Sequence, residues 1–115
     1  LRYHEELEIP NIKTMQKHDE TDEAFVLLSG NCTLFVGGKG DKIEEIDGIA
    51  MEPLKIYNVK KGVWHTHTLD KAATVLIIEN QDTSDQNSPT IMLSEEQIAQ
   101  LKHKFMQVSP SLVYC

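Results

Sequence analysis

Short apolar runs separated by turn residues are the feature that most constrains the fold of this 115-residue chain. The runs are rich in β-branched and aromatic residues, and glycine, proline or asparagine interrupts them roughly every ten residues. Such spacing is typical of an antiparallel β-barrel or jelly roll. We therefore predict seven or eight short strands, within residues 1–7, 12–18, 24–29, 32–36, 43–51, 55–59, 63–69 and 73–79.

Several of these predicted strands carry a further expectation. The near-continuous apolar run 24–29 predicts a strand buried on both faces. Gly30-Asn31 predicts a tight hairpin turn that pairs this strand with 32–36. The glycine cluster that follows predicts a chain reversal, and the region 43–51 predicts a strand pair or one strand with a bulge around Asp47-Gly48.

The hydrophobic period changes near the C-terminus. Residues 94–97 read Ser-Glu-Glu-Gln, which is a capping box, and apolar residues then recur at helical spacing. This pattern predicts an amphipathic helix over about 94–107 that lies on the β-structure. The polar stretch 80–93 predicts a loop, and 108–115 a tail. The whole chain, 1–115, is thus predicted to be one all-β domain with one C-terminal α-helix, its barrel over about 1–80.

Charge and composition exclude several classes of function. The net charge of −7 and the scattered lysines and arginines argue against nucleic-acid binding. The apolar runs are shorter than the roughly 18 residues that a membrane span requires. Cys32 and Cys115 do not form a disulfide framework, so we expect free thiols and a cytoplasmic protein. The sequence begins at Leu1 rather than at methionine, which leaves open that residues precede it.

Potential metal ligands occur in two distant stretches. Gln16 and His18 share one face of a predicted strand, and so do His65 and His67, because side chains alternate with period two. Glu23 immediately precedes the next apolar run. If these groups converge, two imidazoles and a carboxylate suit a divalent transition metal such as Zn, Mn, Fe or Ni. The alternative is a metal-free pocket in which they hydrogen-bond one another.

The two stretches resemble the two sequence motifs of the cupin superfamily, and in particular its small single-domain (RmlC-like) members. His18, Glu23-x6-Gly30 and Gly62-x2-His65 match the motif positions G-x5-H-x-H-x(3,4)-E-x6-G and G-x5-P-x-G-x2-H-x3-N. The resemblance extends over about 12–80. The chain departs from the motifs at Pro10, Gln16, Leu54, Lys60 and Leu69.

The resemblance implies a metal held by His18, Glu23 and His65, with Gln16 as a weak fourth ligand or a hydrogen-bonding group. Glu23 or His67 is the expected proton-transfer group.

The aromatic residues Trp64 and Tyr57 are predicted either to line the mouth of the pocket and bind a planar cofactor or substrate, or to pack in the core.

Three functions remain open on the sequence. The first is a metal-dependent lyase, isomerase or oxygenase acting on a small polar carboxylate, and Gly62-Val63-Trp64-His65 is most similar to ureidoglycolate lyase-type cupins. The second is a non-catalytic module that binds or senses a small-molecule ligand. The third is a structural dimerisation domain. A homodimer is expected from the family and from the need to cover edge strands, with no nucleic-acid or membrane partner.

Overall fold

The computed structural model describes residues 1–79 and 88–108. Within them the chain forms eight strands and one α-helix, preceded by two single-turn 3₁₀ helices, Glu5–Leu7 and Ile9–Asn11. The bounds are β1 (Thr14–Gln16), β2 (Glu23–Ser29), β3 (Cys32–Val36), β4 (Asp47–Ala50), β5 (Ile56–Val59), β6 (His65–Leu69), β7 (Thr74–Glu79), β8 (Thr90–Met92) and α1 (Glu95–Val108).

The strands form two antiparallel sheets. The larger sheet has the order β4-β3-β6-β1-β8, and the smaller has the order β5-β2-β7. A mostly β structure with one C-terminal helix is therefore confirmed. In the described residues, however, the named strands make two separate sheets and not one continuous closed sheet.

The core lies between the two sheets because each strand buries alternate side chains. Phe25, Leu27 and Val75 of the smaller sheet pack in one cluster with Leu34 and Leu69 of the larger sheet. A second cluster lies on the other side of the larger sheet, where α1 packs against β4 and β3. The larger sheet is thus covered on both faces, and the smaller sheet is covered on its inner face.

The predicted N-terminal strand at 1–7 is wrong. Residues Glu5–Leu7 form a 3₁₀ turn, and Nδ1 of His4 accepts a hydrogen bond from the backbone N–H of Glu6. An isolated bridge from Arg2 to Thr74 is the remaining β-pairing in this segment. The weak apolar alternation does not supply enough buried side chains to hold a longer strand.

The predicted hairpin at Gly30-Asn31 is also wrong. Gly30 does turn the chain, with φ +71°, but β2 pairs with β5 and β7 while β3 pairs with β4 and β6. The turn therefore carries the chain from one sheet to the other. The expected burial of β2 on both faces is wrong as well, because Phe25 and Leu27 are buried while Leu28 is exposed.

The region 43–51 forms one strand, in which Asp47 and Gly48 pair in register with Val36 and Phe35.

Within the predicted loop 80–93, residues 80–87 lie outside the described residues, and the rest contains β8. The predicted tail lies outside them from residue 109 onward.

The C-terminal helix is confirmed, and so is its capping box. The backbone N–H of Gln97 donates to Oγ of Ser94 at 3.1 Å, and the backbone N–H of Ser94 donates to Oε1 of Gln97 at 2.8 Å. These reciprocal bonds satisfy donors that a helix start would otherwise leave unpaired. Among the described residues, no helix combines the length and the apolar character that crossing a bilayer requires.

Candidate metal and ligand site

A polar cavity of about 430 Å³ lies between the two sheets, at the end where β2 and β6 begin and β7 ends. Ligand pockets are usually lined mainly by apolar side chains, but only one lining residue here is apolar. The cavity therefore suits a metal ion or a small polar molecule. Its lining comprises Thr14, Gln16, His18, Glu23, His65, Thr66, His67, Ile77, Glu79, Ser88 and Thr90.

Strand alternation and register bring the predicted ligands to this cavity. Glu23 is the first residue of β2 and shares the buried face with Phe25 and Leu27. His65 is the first residue of β6 and pairs in register with Gln16 of β1. His18 follows β1 by two residues, so the chain delivers it to the same end of the larger sheet.

His18, Glu23 and His65 form one buried cluster. Nε2 of His18 lies 3.3 Å from Oε2 of Glu23, and Nε2 of His65 lies 3.2 Å from Oε1 of the same carboxylate. One ligand atom from each residue falls within 4.8 Å of the others. All three side chains are buried. The group can therefore hold a metal ion.

The outer nitrogens of both imidazoles are hydrogen-bonded. Nδ1 of His18 lies 2.7 Å from Oγ of Ser88, and Nδ1 of His65 lies 3.0 Å from the carbonyl oxygen of Val63. A carbonyl can only accept, so Nδ1 of His65 carries a proton and donates it. A second proton, on Nε2, would let the ring donate to Glu23, whereas a ring protonated on Nδ1 alone presents the Nε2 lone pair to that carboxylate. Such outer hydrogen bonds orient the histidines of metal sites.

The Glu23 carboxylate is ionised in this environment. Burial raises its pKa, but hydrogen bonds from His65 and Glu79 and the charges of the two histidines outweigh burial, and the pKa falls to about 2. A carboxylate oxygen and an imidazole lone pair repel each other at this distance, so a positive charge must lie between the two atoms. Either a proton on Nε2 of His65 or a metal ion satisfies that requirement.

Glu79 is a cavity residue that the sequence analysis missed. It is the register partner of Glu23 across β2 and β7. Its hydrogen bond to Glu23, together with burial and the negative charge of Glu23, raises its pKa to about 7. The signal was available in the sequence, because Val75, Ile77 and Glu79 alternate on one face of a predicted strand.

His67 lines the cavity as predicted, but lies outside the three-residue cluster. Its Nδ1 is buried and has no hydrogen-bond partner among the described residues. Burial, assisted by the charge of His65, lowers the pKa of His67 to about 4, so the ring is neutral. The ring centroid of Phe25, a core residue, lies 5.8 Å from that of His67 and 6.0 Å from that of His65.

Gln16 also lines the cavity, where its side-chain Nε2 donates to the carbonyl oxygen of Ser88 at 3.1 Å. This bond leaves its amide oxygen available as an acceptor. Ser88 thus contacts both Gln16 and His18. Nothing in the local sequence of the predicted loop indicated that role, because Ser88 is placed by the pairing of β8 with β1.

Trp64 and Tyr57 are not among the residues that line this cavity. Trp64 is buried in the second core cluster, where its Nε1 donates to the carbonyl oxygen of Gly40 at 2.8 Å. Tyr57 packs against the first cluster, and its hydroxyl accepts from the backbone N–H of Glu52 at 2.8 Å. Of the two alternatives stated for these aromatic residues, the structure places both in core packing.

No protein-family model matches this sequence, and no curated protein is significantly similar to it. The fold and the cavity therefore define the chain by geometry: it is a two-sheet β-protein with a C-terminal helix and a buried cluster of two histidines and one glutamate.

Proposed function

We propose that the chain is a small cupin-type protein whose two sheets belong to a β-barrel or jelly roll. In this proposal His18, Glu23 and His65 bind a divalent transition metal next to a cavity for a small polar metabolite. The observation that carries the proposal is the convergence of three buried ligand atoms within 4.8 Å at the edge of a cavity lined almost entirely by polar residues.

The spacing between each histidine nitrogen and the nearer oxygen of Glu23 is compatible with metal ligation. Ligands bound about 2.0–2.2 Å from a common ion lie roughly 3 Å apart. The two contacts from the histidine Nε2 atoms to Glu23 are 3.2 and 3.3 Å. The ring nitrogens that face Glu23 are also those left available once Nδ1 of each ring is hydrogen-bonded.

Two imidazoles and one carboxylate are a donor set that Fe(II), Mn(II), Zn(II) and Ni(II) accept. When bound, such an ion would act as a Lewis acid towards oxygen atoms of a substrate. Gln16 stands beside the cluster, where its amide orients neighbouring groups or serves as a weak further ligand. A small carboxylate or hydroxy compound is the class of metabolite that the polar lining suits.

Two residues beside the cluster suit proton transfer and ligand orientation. Glu79, with a pKa near 7, can hold or release a proton close to neutral pH, which is the range in which a general acid–base group is most effective. The neutral ring of His67 offers a buried Nδ1 that can form a hydrogen bond with a polar ligand. The low pKa of Glu23 suits a metal ligand better than a base.

These roles support a metal-dependent lyase, isomerase or oxygenase, with the ureidoglycolate lyase-type cupins as the resemblance to test first. Elemental analysis of the untagged protein, after gentle purification and again after reconstitution with each candidate metal, tests the metal site. We expect stoichiometric metal that is lost in His18→Ala and His65→Ala. His103→Ala is the matched control, because His103 is exposed on α1.

Retention of metal by both cluster variants would contradict the assignment of the ligands. Failure of the wild-type protein to take up any of the four metals would contradict the metal site itself.

A metal-free binding module is the second candidate, and one observation favours it. The two histidines already contact Glu23 directly, so a proton on Nε2 of His65 would complete the cluster without a metal. Thermal-shift screening with a chelator present separates the two functions. A small polar compound that stabilises the metal-free protein without being converted supports the binding module.

A further inference from the structure

A second cavity, of about 420 Å³, is lined by residues of the N-terminal segment, β3, β4, β6 and α1. It lies at the end of the larger sheet where β3 begins and β6 ends, whereas the polar cavity lies where β6 begins. The N-terminal 3₁₀ turn contacts β6, and α1 contacts β3 and β4, so the second cavity lies between these two coverings. Its volume is within the usual range for small-molecule pockets.

A row of small side chains forms the floor of the second cavity. Thr33 of β3 pairs in register with Ala50 of β4 on one side and with Thr68 of β6 on the other. By alternation Thr33 shares the face of Phe35, which is fully buried in the core cluster that includes residues of α1. Where small residues replace such a large one, space remains between the sheet and the segments that cover it.

The walls of the second cavity are largely apolar, unlike those of the polar cavity. Ile9 of the N-terminal segment and Phe105 of α1 line it, together with Met51 and Leu69 near the strand ends. Apolar walls with a few polar groups are the ordinary composition of a ligand pocket. The second cavity therefore suits a molecule that is mainly apolar.

Thr33 supplies this cavity with an unpaired hydroxyl group. The residue is only 6% exposed, and its hydroxyl forms no hydrogen bond with any of the described residues. Its neighbour Thr68 is equally buried, but the hydroxyl of Thr68 donates to the carbonyl oxygen of Leu7. A buried hydroxyl without a partner is costly in free energy, and a ligand that hydrogen-bonds to it removes that cost.

The charged groups of the second cavity disfavour an anionic ligand. Glu8 and Asp70 contribute two carboxylates, Lys71 contributes one ammonium group, and the chain carries a net charge of −7. One oxygen of Glu8 accepts from the hydroxyl of Tyr3 at 2.6 Å. Both oxygens of Asp70 accept from Asn31, at 3.1 and 2.8 Å. Since a buried charge without a partner is costly, the cavity favours an uncharged ligand.

We propose that the second cavity binds an uncharged, mainly apolar small molecule that carries a hydroxyl group, with aromatic alcohols as the class of ligand. The hydroxyl of the ligand hydrogen-bonds with that of Thr33, and its ring packs against Phe105 and Met51. This site is separate from the candidate metal site and does not depend on it. Thr68 and His67 are adjacent in β6, so they point to opposite faces of the sheet and line different cavities.

Titration of the full chain with 2-naphthol, followed by fluorescence and NMR, tests the proposal. We expect saturable one-site binding with a Kd of about 1 mM or lower. Amide chemical shifts should change most at Thr33, Thr68 and Phe105. The anion 2-naphthoate has the same rings but carries a carboxylate, and it should bind at least ~10-fold more weakly.

Two substitutions test the floor of the cavity. Thr33→Val removes the hydroxyl and keeps the shape of the side chain, so it should weaken binding of 2-naphthol about 3–10-fold. Thr74→Val is its matched control, because Thr74 of β7 lines neither cavity. Ala50→Leu fills the cavity and should weaken binding at least ~10-fold. Its matched control is Ala99→Leu, at an exposed residue of α1.

Thermal unfolding checks that each variant folds. If Ala50→Leu does not fold, the comparison of Thr33→Val with Thr74→Val still decides. The His18→Ala variant should bind 2-naphthol with unchanged affinity, with or without a chelator. Loss of binding in that variant would place the ligand in the polar cavity and would overturn the proposal.

Three further results would overturn it. The first is the absence of saturable binding to the full chain. The second is a set of chemical-shift changes confined to the polar cavity or to the outer face of the smaller sheet. The third is equal affinity of 2-naphthol for the Thr33→Val and Thr74→Val proteins, or of 2-naphthol and 2-naphthoate for the wild type.

Discussion

Nε2 of His65 lies 3.2 Å from Oε1 of Glu23, although the two residues are 42 positions apart and belong to different sheets. The contact exists only because β2 and β6 begin at the same end of the molecule. His18 reaches the same carboxylate from the chain that follows β1. One carboxylate thus joins two imidazoles across the gap between the sheets.

Ser88→Ala should lower metal affinity by about 10–100-fold without removing a ligand, because Ser88 orients the His18 ring through Nδ1. Ser29→Ala is the control, since Ser29 is exposed and its hydroxyl donates to the carbonyl oxygen of Ala72. Competition with a chromogenic chelator measures both affinities. Equal affinity in the two variants would show that the Ser88 contact does not support the site.

Glu79→Gln should change how the stability of the metal-free protein depends on pH. The folded-state pKa of Glu79 is raised to about 7, so its contribution is fully present below the unfolded value of 4.5 and is lost as pH rises towards 7. The wild type should therefore lose stability relative to the variant across this interval.

Urea unfolding of both proteins at a series of pH values measures the difference. A stability difference that does not change with pH between 4.5 and 7 would contradict the raised pKa.

Gly30→Ala should destabilise the protein more than Gly62→Ala, although both glycines have positive φ, at +71° and +80°. A Cβ on Gly30 would collide with the backbone of Ala72 and Ala73, whereas a Cβ on Gly62 meets nothing within 4 Å. We expect a loss of about 1–2 kcal/mol for Gly62→Ala from backbone strain alone. For Gly30→Ala we expect about 2–5 kcal/mol, because overpacking is added.

Denaturant titration measures both losses of unfolding free energy. Equal losses would show that the turn between the sheets can shift to admit a side chain.

Cys32 should be nearly inert towards thiol reagents while the protein is folded. Burial, and then the charge of Asp70, raise its pKa to about 12, so the reactive thiolate is scarce at neutral pH. In a Cys115→Ser background, labelling at pH 8 should be at least ~100-fold slower in buffer than in concentrated urea. Labelling that is as fast in buffer as in urea would contradict the burial of this side chain.

Strand positions and the inward face of each strand were largely predictable from the sequence, because alternation is a local property. The run 32–36 became β3 with unchanged bounds, and alternation placed His65 and His67 on one face. Pairing partners were not predictable in the same way. Gly30-Asn31 has the composition of a hairpin turn, yet the strands it connects belong to different sheets, since a turn fixes only the direction of the chain.

The same limit applies to the candidate site. His18 and His65 could be proposed from residue type and strand face, and Glu23 from its match to a family motif. The position of Glu79 depends on its register with Glu23, and that of Ser88 on the pairing of β8 with β1. Alternation along β7 indicates the face of Glu79, but neither its register with Glu23 nor the pairing of β8 with β1 follows from the residues near those positions.

The location of the cluster across two sheets has a mechanical consequence. Glu23 belongs to the smaller sheet, while His65 begins a strand of the larger one, so an ion held by both would cross-link the two sheets. At a free metal concentration one hundred times Kd, binding of that ion would add about 2.7 kcal/mol to the free energy of unfolding. A substitution that lets the two sheets separate would then release the ion, even when the substituted residue lies far from the three residues that hold it.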